Sequence, residues 1–355
     1  MSDSRSLRVV MLPCIRWQPA RDRYQPDLAP DPLQLDRLLH AQGIEVELID
    51  PGERPRNPLA GRATLLEGMD PLRALRVALG RRDVDLVVSV FEGAALALTL
   101  LRPLLRFKAP IVLWDLGLED RWRLRRWVLD RIIPRLDGIF VLSASQRDVI
   151  ARRWGRSEGV EVIGYQIDTD FYRPAPPAPG GPVLAVGEDA GRDFETMLSA
   201  IDGLDTDVVL KTRRIAADRA LPPRVRIVRD WLDDRQFRDL YAAARIVVVP
   251  LHDVANASGV TAIAEAAAMG LPMVVTETDS TRDFIVPGET CLAVQRGDVA
   301  GMREAVSHLL AEPDVRARLA HNARRFAEER FGAAAFAASF AAAVRRHARP
   351  RGAGG

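Results

Sequence analysis

The chain is poor in cysteine and lysine and has no long hydrophobic run. Its 355 residues include only two cysteines, Cys14 and Cys291, far apart in sequence, which excludes a disulfide framework and indicates a reducing compartment. Lysine occurs only at Lys108 and Lys211. The formal net charge is +2 at pH 7, so composition does not favour nucleic acid as a partner.

The hydrophobic stretches are too short to cross a membrane. The longest, Ala94 to Leu101, lies between Glu92 and Arg102, whereas a bilayer span needs ~20 apolar residues. The first residues, MSDSRSLRVVML, lead into a short strand and carry no signal-peptide pattern. We therefore expect a cytoplasmic protein whose membrane contact is peripheral, at the inner face of the cell membrane.

Short apolar runs alternate with helical patterns, which predicts an α/β fold built from parallel βαβ units. The first series of strands is Leu7 to Leu12, Glu45 to Ile49, Asp85 to Val90, Ile111 to Trp114 and Gly138 to Leu142, with a helix over Leu33 to Gln42 and Ser145 as a later helix cap. The second series is Val183 to Val186, Val208 to Leu210, Val225 to Val228, Ile246 to Val249 and Met273 to Val275.

The run PAPPAPGGP, Pro174 to Pro182, is too rich in Pro and Gly for regular structure and is typical of a linker. We therefore predict two domains, which the length also favours, over residues 1–174 and 175–332. An Ala-rich helix is predicted over 333–349, and 350–355 form a disordered tail.

The segment from Pro250 to Asp298 is the most informative. A turn of small residues, Asn256 to Gly259, opens a helical run with a single acidic residue, Glu265. A buried-strand pattern follows Gly270, and a second turn lies at Gly288. Backbone N–H groups at a helix start form an anion site, and a carboxylate inside such a helix accepts from vicinal hydroxyls.

This segment resembles the donor-sugar signature of the GT-B glycosyltransferases of the family-4 type (glycosyl transferases group 1). The matching residues are Glu265, Ala266, Ala268, Met269, Gly270, Pro272, Val274, Arg282, Asp283, Gly288, Glu289 and Thr290. The first of the signature's two glutamates falls at Ala257, where the pattern is broken. The resemblance implies two Rossmann-like, doubly wound domains facing a cleft, the second binding a nucleoside diphosphate sugar as co-substrate and the first an acceptor. It also implies that the helix over 333–349 crosses back to the first domain. It implies no metal and no other cofactor.

The resemblance also implies roles for residues of the second domain. Glu265 corresponds to the glutamate that holds the ribose hydroxyls; its alternative is a surface residue of an amphipathic helix. The helix start facing the diphosphate comprises Ser258, Gly259, Val260 and Thr261, with Ser258 alternatively a plain N-cap. Lys211, then Arg213 and Arg214, correspond to the basic pair that stabilises the departing diphosphate, a catalytic role; the alternative is a solvated basic turn.

Four further residues are weaker candidates for donor binding. Gly187 and Arg192 lie in a loop between a strand and a helix that Asp193 caps; Arg192 is a phosphate contact or a surface charge. Trp231 stacks on the base or fills the core. Asn256, or Asp253, reaches the sugar in place of the missing glutamate.

In the first domain, Asp115 ends a predicted strand, where α/β sheets bind ligands. It is the candidate that orients or deprotonates the acceptor hydroxyl; the alternative is a turn or cap residue. Arg16 and Trp17 follow the first strand and are candidate acceptor contacts.

The stretch DRWRLRRWVLDRIIPR places Arg123, Trp127 and Arg131 on one stripe of a helix. Such a stripe suits an anionic membrane surface; the alternative is a solvated Arg-rich face with Trp in the core.

The predicted function is transfer of a hexose from a nucleoside diphosphate sugar, a UDP-sugar, to an acceptor hydroxyl. The resemblance implies retention of configuration and a lipid-linked or cell-surface glycan as acceptor. Inversion with Asp115 as base, a soluble enzyme acting on a metabolite or protein, and a non-catalytic scaffold remain alternatives. A sugar epimerase lacks a convincing acid–base pair.

Overall fold

The structure is a computed structural model that describes residues 6–14, 16–51, 71–81, 83–114, 123–176 and 180–349. The chain divides into two compact units. The first comprises Met1–Tyr24, Pro32–Gly164 and Phe336–Gly355, and the second comprises Gln25–Asp31 and Tyr165–Ala335. The chain thus changes unit between Gly164 and Tyr165, upstream of the Pro- and Gly-rich run. The predicted disordered tail lies outside the described residues.

The first unit holds a six-stranded sheet in the order β2-β1-β3-β4-β5-β6, with every neighbouring pair parallel. The strands are β1 Leu7–Leu12, β2 Ile44–Leu48, β3 Leu86–Val90, β4 Ile111–Trp114, β5 Gly138–Val141 and β6 Val160–Val162. The helices are α1 Gln18–Asp22, α2 Gln34–His40, α3 Pro71–Gly80, α4 Glu92–Leu105, α5 Arg123–Ile132 and α6 Ala144–Trp154, with a 3-10 turn over Ile133–Arg135.

The last helix, α12 (Ala333–His347), completes the core of this unit. Phe336 and Phe340 are buried, and the Phe340 ring lies 5.2 Å from Trp114 and 5.6 Å from Phe140, centroid to centroid. Small residues between them, such as Ala337, bring the helix close to the sheet. One face of the sheet therefore depends on residues from the far end of the chain.

The second unit holds another parallel six-stranded sheet, in the order β12-β11-β10-β7-β8-β9. The strands are β7 Val183–Val186, β8 Val208–Lys211, β9 Val225–Val228, β10 Ile246–Val249, β11 Met273–Thr276 and β12 Leu292–Val294. The helices are α7 Phe194–Ile201, α8 Asp234–Ala242, α9 Val260–Ala268, α10 Val299–Ala311 and α11 Pro313–Arg330.

In the second sheet, the order in which successive strands are added changes direction between β7 and β10. Three strands extend from β7 to one side, and the next three extend from β10 to the other. Such a reversal opens a crevice at the carboxyl ends of the two central strands, where open α/β sheets bind ligands.

The α/β prediction is confirmed, with local differences. Asp193 caps α7 as predicted, accepting from the Thr196 N–H at 3.1 Å. The prediction of Ser145 as a cap is wrong: Ser143 is the N-cap of α6 and accepts from the Gln146 N–H, because its extended backbone directs its hydroxyl at the first turn. Two strands, β6 and β12, were missed since each has only three residues.

Candidate functional site

Two loops meet at the reversal point of the second sheet. The loop after β7 and the loop after β10 are joined by backbone hydrogen bonds, from His252 N–H to Gly191 O at 2.8 Å and from Asp193 N–H to Pro250 O at 3.1 Å. A Cβ on Gly191 would lie 2.7 Å from the Ser258 Cβ, so only glycine fits there. The loops are thereby fixed against each other.

Asp189 links the two loops through its side chain. It accepts hydrogen bonds from the Ser258 hydroxyl and, at 2.8 Å, from Arg192 Nε. Burial acts to raise the pKa of Asp189, but the Arg192 charge and the hydrogen bonds outweigh it and hold that pKa below its ordinary value. The alternative role of Ser258 as a plain N-cap is wrong, because the N-cap of the following helix is Gly259.

Arg192 is buried rather than a surface charge, which excludes one of the two sequence-based readings. Its side chain lies over Gly187, where an added Cβ would overlap the guanidinium. In this structure, therefore, it is the Arg192 side chain that occupies the space left free by the absence of a side chain at Gly187.

A second carboxylate, that of Glu188, contacts two of the predicted basic residues, Lys211 and Arg213. Lys211 is the buried last residue of β8, and its Nζ lies 3.3 Å from Glu188 Oε1. Arg213, which is exposed, donates its backbone N–H to Glu188 Oε2 at 3.0 Å. Burial acts to raise the pKa of Glu188, but the Arg213 N–H and the Lys211 ammonium lower it below its ordinary value.

Helix α9 begins at this point with no side-chain cap. Its N-cap is Gly259, whose φ of +84° favours glycine and whose Cβ, if present, would lie 2.9 Å from the Leu251 side chain. The first N–H groups of the helix therefore lack a side-chain acceptor from the N-cap. Every residue of α9 except Thr261 is buried, which explains its alanine-rich sequence.

Glu265 lies inside α9, and both of its oxygens are occupied. Oε2 accepts from the Tyr241 hydroxyl at 2.8 Å and Oε1 from the Tyr172 hydroxyl at 3.2 Å. Burial raises the pKa of Glu265 to about 7, against the lowering effect of the two hydroxyls and of the Arg192 charge. The surface alternative for Glu265 is wrong, since the residue is only 6% exposed.

The remaining predicted donor residues lie around this point. Val260 is buried, and Thr261 shares a hydrogen bond of 3.0 Å with the Tyr165 hydroxyl. Asn256 is half-buried in the turn before α9. Trp231 is 83% exposed, so its alternative as a core residue is wrong and stacking stays a prediction.

The predicted acceptor residues are less defined. Asp115 lies outside the described residues. Arg16 is exposed, whereas Trp17 is partly buried against the core beneath α12. Within the described ranges no three His, Cys, Asp or Glu side chains are grouped as a metal ion requires, and metal independence stays a prediction.

The predicted membrane stripe lies on α5. Trp127 is 52% exposed, and the Arg131 guanidinium carbon lies 3.7 Å from its ring centroid. The alternative that places Trp127 in the core is wrong; Leu129 and Ile132 of the same helix are buried instead. The Arg123 side chain lies outside the description. Among the described residues, no helix is both long and apolar enough to pass through a bilayer.

Sequence reasoning missed the side chains that hold the predicted ones: Tyr172, Tyr241, Glu188 and Asp189. Glu188 and Asp189 directly follow a predicted central strand, which was a usable signal. Tyr172 and Tyr241 gave none, because they lie 93 and 24 residues from Glu265 in sequence.

Two family models match this chain. Residues 33–171 match the model described as Glycosyltransferase Family 4, and residues 205–312 match the model described as Glycosyl transferases group 1. The two matches together cover more than half of the chain. It belongs to the family-4-type glycosyltransferases of group 1.

This glycosyltransferase-family chain is similar to a lipopolysaccharide core biosynthesis glycosyltransferase, LpsE, from Rhizobium meliloti. The two are 28% identical over 190 residues, which are 48% of this chain and 50% of that relative. The chain spans about half to three fifths of the length of the curated relatives it matches.

Solved structures share the fold. A sucrose-phosphate synthase from Thermosynechococcus elongatus gives a TM-score of 0.72 at 20% identity, covering 96% of this chain and 98% of that one. Anabaena Alr3699/HepE, solved in complex with UDP-glucose, gives 0.65 at 15% identity, covering 96% and 100%. The predicted GT-B fold and family are confirmed.

Proposed function

We propose that this protein transfers a sugar from a UDP-sugar to an acceptor hydroxyl, and that the donor binds at the reversal point of the second sheet. The observation that carries the proposal is that adjacent residues of one loop contact both sides of this point. Glu188 contacts Lys211, and Asp189 contacts Ser258, which directly precedes the Gly259 N-cap of the uncapped helix α9. Nitrogen donors for phosphates and an oxygen acceptor for hydroxyls are what a nucleoside diphosphate requires. Alr3699/HepE, which has the same fold, was solved with UDP-glucose.

Glu265 is the proposed ribose contact. Its two present partners are neutral hydroxyls, and a ribose offers hydroxyls of the same kind. An exchange of one neutral hydroxyl for another costs less than separating an ion pair, since no buried charge is left uncompensated.

Lys211, Arg213 and the first N–H groups of α9 are the proposed diphosphate contacts. The bond from the anomeric carbon to the diphosphate oxygen breaks, and the oxygen leaves with the electron pair. These positive groups stabilise the charge that develops on it. The acceptor oxygen attacks the same face of the sugar and passes its proton to the departing phosphate, so the configuration is retained without an enzyme nucleophile. Asp115 orients the acceptor hydroxyl.

The proposed acceptor is a lipid-linked or cell-surface glycan. The relative from Rhizobium meliloti is named for lipopolysaccharide core biosynthesis. The exposed Trp127, stacked under Arg131, suits an anionic bilayer surface. Sedimentation with anionic and with neutral vesicles tests this: we expect binding to anionic vesicles that Trp127→Ala with Arg131→Ala weakens about tenfold. Equal behaviour of the double variant favours a soluble acceptor instead.

Calorimetric titration with UDP, GDP and ADP tests the donor site. Wild-type protein is expected to bind UDP, and Glu265→Ala to bind it more than about tenfold more weakly, because a charge-assisted contact to the ribose is lost. Glu304→Ala, an exposed glutamate on α10, is the matched control and should bind as wild type. If the wild-type protein bound no nucleotide, the non-catalytic scaffold would be favoured. The replacement of the first glutamate of the signature by Ala257 would then be the sequence feature that explains it.

A further inference from the structure

A separate pocket lies in the second unit, at the opposite ends of the central strands from the proposed donor site. It has a volume of about 320 Å³ and lies at the amino ends of β10 and β11, whereas the proposed donor site is at the carboxyl ends. Ligand pockets begin at roughly 300 Å³. Most of its lining is apolar, including Met269, Pro272, Pro313 and Ala320.

Two arginines line this pocket, Arg245 and Arg316. In the described part of the chain, neither guanidinium has a carboxylate oxygen within 4.0 Å. Burial, and then the charge of Arg245, lowers the pKa of Arg316. The two cations are thus close enough to repel each other.

Within the described residues, the two guanidiniums donate hydrogen bonds only to carbonyl oxygens at the carboxyl end of α10. Arg245 Nη2 donates to Leu310 O at 2.7 Å, and Arg316 Nη1 donates to the same oxygen at 3.1 Å. The buried Arg245 Nε has no hydrogen-bond partner among the described residues. A helix carboxyl end supplies only roughly −0.5 charge, so two cations are incompletely compensated.

Some partly buried arginines elsewhere in the protein have acidic partners, whereas Arg229 donates to the carbonyls of Ile215 and Ala216 instead. Arg102 is paired with Asp137 at 2.6 Å, and Arg324 with Glu328 at 2.7 Å. At Arg245 and Arg316 the corresponding anion is not part of the described chain, and the space beside them is open.

We propose that this pocket binds a small amphiphilic anion, a phosphate or carboxylate on a short alkyl chain. The anionic group lies between the two guanidiniums and accepts from their N–H groups. The alkyl chain packs against Met269 and Pro272, where removal of apolar surface from water favours binding. The pocket shares no residue with the proposed donor site, so the inference holds independently of the proposed function.

The position of the pocket places its ligand beside the turn that carries Glu265. The Met269 N–H donates to Glu265 O at 2.9 Å, and Ala242, another lining residue, directly follows Tyr241. The pocket is therefore one helical turn from Glu265 and its two tyrosine partners. It opens at the amino ends of the strands, whereas the proposed donor site is at their carboxyl ends.

Calorimetric titration with octyl phosphate, 1-octanol and inorganic phosphate tests the proposal on the full chain. Octyl phosphate is expected to bind at least about tenfold more tightly than either of the others, because it alone has both parts. Arg316→Met should weaken it about tenfold. Arg325→Met, an exposed arginine on the same helix, is the matched control and should not change it.

Arg316 also binds carbonyls of α10, so its loss can unfold the protein. Ala320→Trp therefore serves as a second variant, because it fills the pocket and leaves both arginines in place. It should abolish binding of octyl phosphate. The inference is overturned if octyl phosphate does not bind, if octanol or phosphate binds equally well, if Ala320→Trp binds as wild type, or if Arg325→Met loses as much affinity as Arg316→Met.

Discussion

Two carboxylate clusters lie on the same unit but have opposite surroundings. Glu265 is held by the neutral hydroxyls of Tyr172 and Tyr241, and burial raises its pKa to about 7. Asp189 and Glu188 are held by cations and N–H groups, which overcome burial and lower their pKa values. Deep burial beside neutral partners thus raises the pKa of Glu265, whereas cations and N–H groups lower the pKa values of the less buried Asp189 and Glu188.

The difference separates two uses of a carboxylate. The group with neutral partners is proposed to exchange them for substrate hydroxyls. The carboxylates with charged partners, Asp189 and Glu188, hold the loops together by hydrogen bonds and reduce the net positive charge of the proposed diphosphate site. Removal of one or the other should therefore have opposite effects.

The largest expected effect is on the pH dependence of stability. Because the pKa of Glu265 is raised from 4.5 to about 7, its contribution is present below pH 4.5 and lost as pH rises through 7. Relative to Glu265→Gln, the wild-type free energy of unfolding should fall between these values by up to ~1.4 kcal/mol per pH unit.

Asp189→Asn is the matched comparison, because the lowered pKa of Asp189 gives a contribution that is present above its unfolded pKa and lost as pH falls. The difference between wild type and this variant should have the opposite slope, below about pH 4. Urea unfolding at a series of pH values measures both. Slopes of the same sign would show that the two clusters do not differ as described.

Loss of one hydroxyl should have a smaller effect. Tyr241→Phe removes the donor 2.8 Å from Glu265 Oε2. At pH 8 the carboxylate is ionised, and we expect a loss of ~1.5–3 kcal/mol in the free energy of unfolding, falling to ~1 kcal/mol at pH 5.5. Tyr165→Phe, which loses an exposed hydrogen bond to Thr261, is the control. An equal, pH-independent loss in both variants would contradict the role given to Tyr241.

The smallest expected effect concerns Glu188. Glu188→Gln removes a negative charge beside Lys211 and Arg213, so UDP should bind a few-fold more tightly, by ~0.5–1 kcal/mol, and with greater salt dependence. Glu195→Gln, which removes the partner of exposed Arg219, should leave the affinity unchanged. Weaker binding by Glu188→Gln would show instead that Glu188 positions Lys211.

The central strands were predictable because they are short, buried, β-branched runs, as in IVVV of β10. The start of α9 was predictable because Gly259 and the small residues before it leave few alternatives. The partners of Glu265 were not, because contacts between residues far apart in sequence follow from the packing of whole elements. The buried position of Arg192 was missed for a different reason: its acceptor, Asp189, is only three residues away, but the loop conformation that brings the two together has no sequence pattern.

The place of α12 in the first unit has a consequence for synthesis on the ribosome. The strands of that unit are translated before most of the second unit, yet the face covered by Phe336, Phe340 and Val344 stays open until these residues have been translated. The second unit, continuous from Tyr165 to Ala335 apart from one short segment, has its residues available earlier. The first unit therefore cannot complete its core before the second unit has been translated, in contrast to chains whose N-terminal domain folds first. A ribosome that stops before Phe336 releases a polypeptide with an uncovered apolar sheet, which chaperones and proteases recognise.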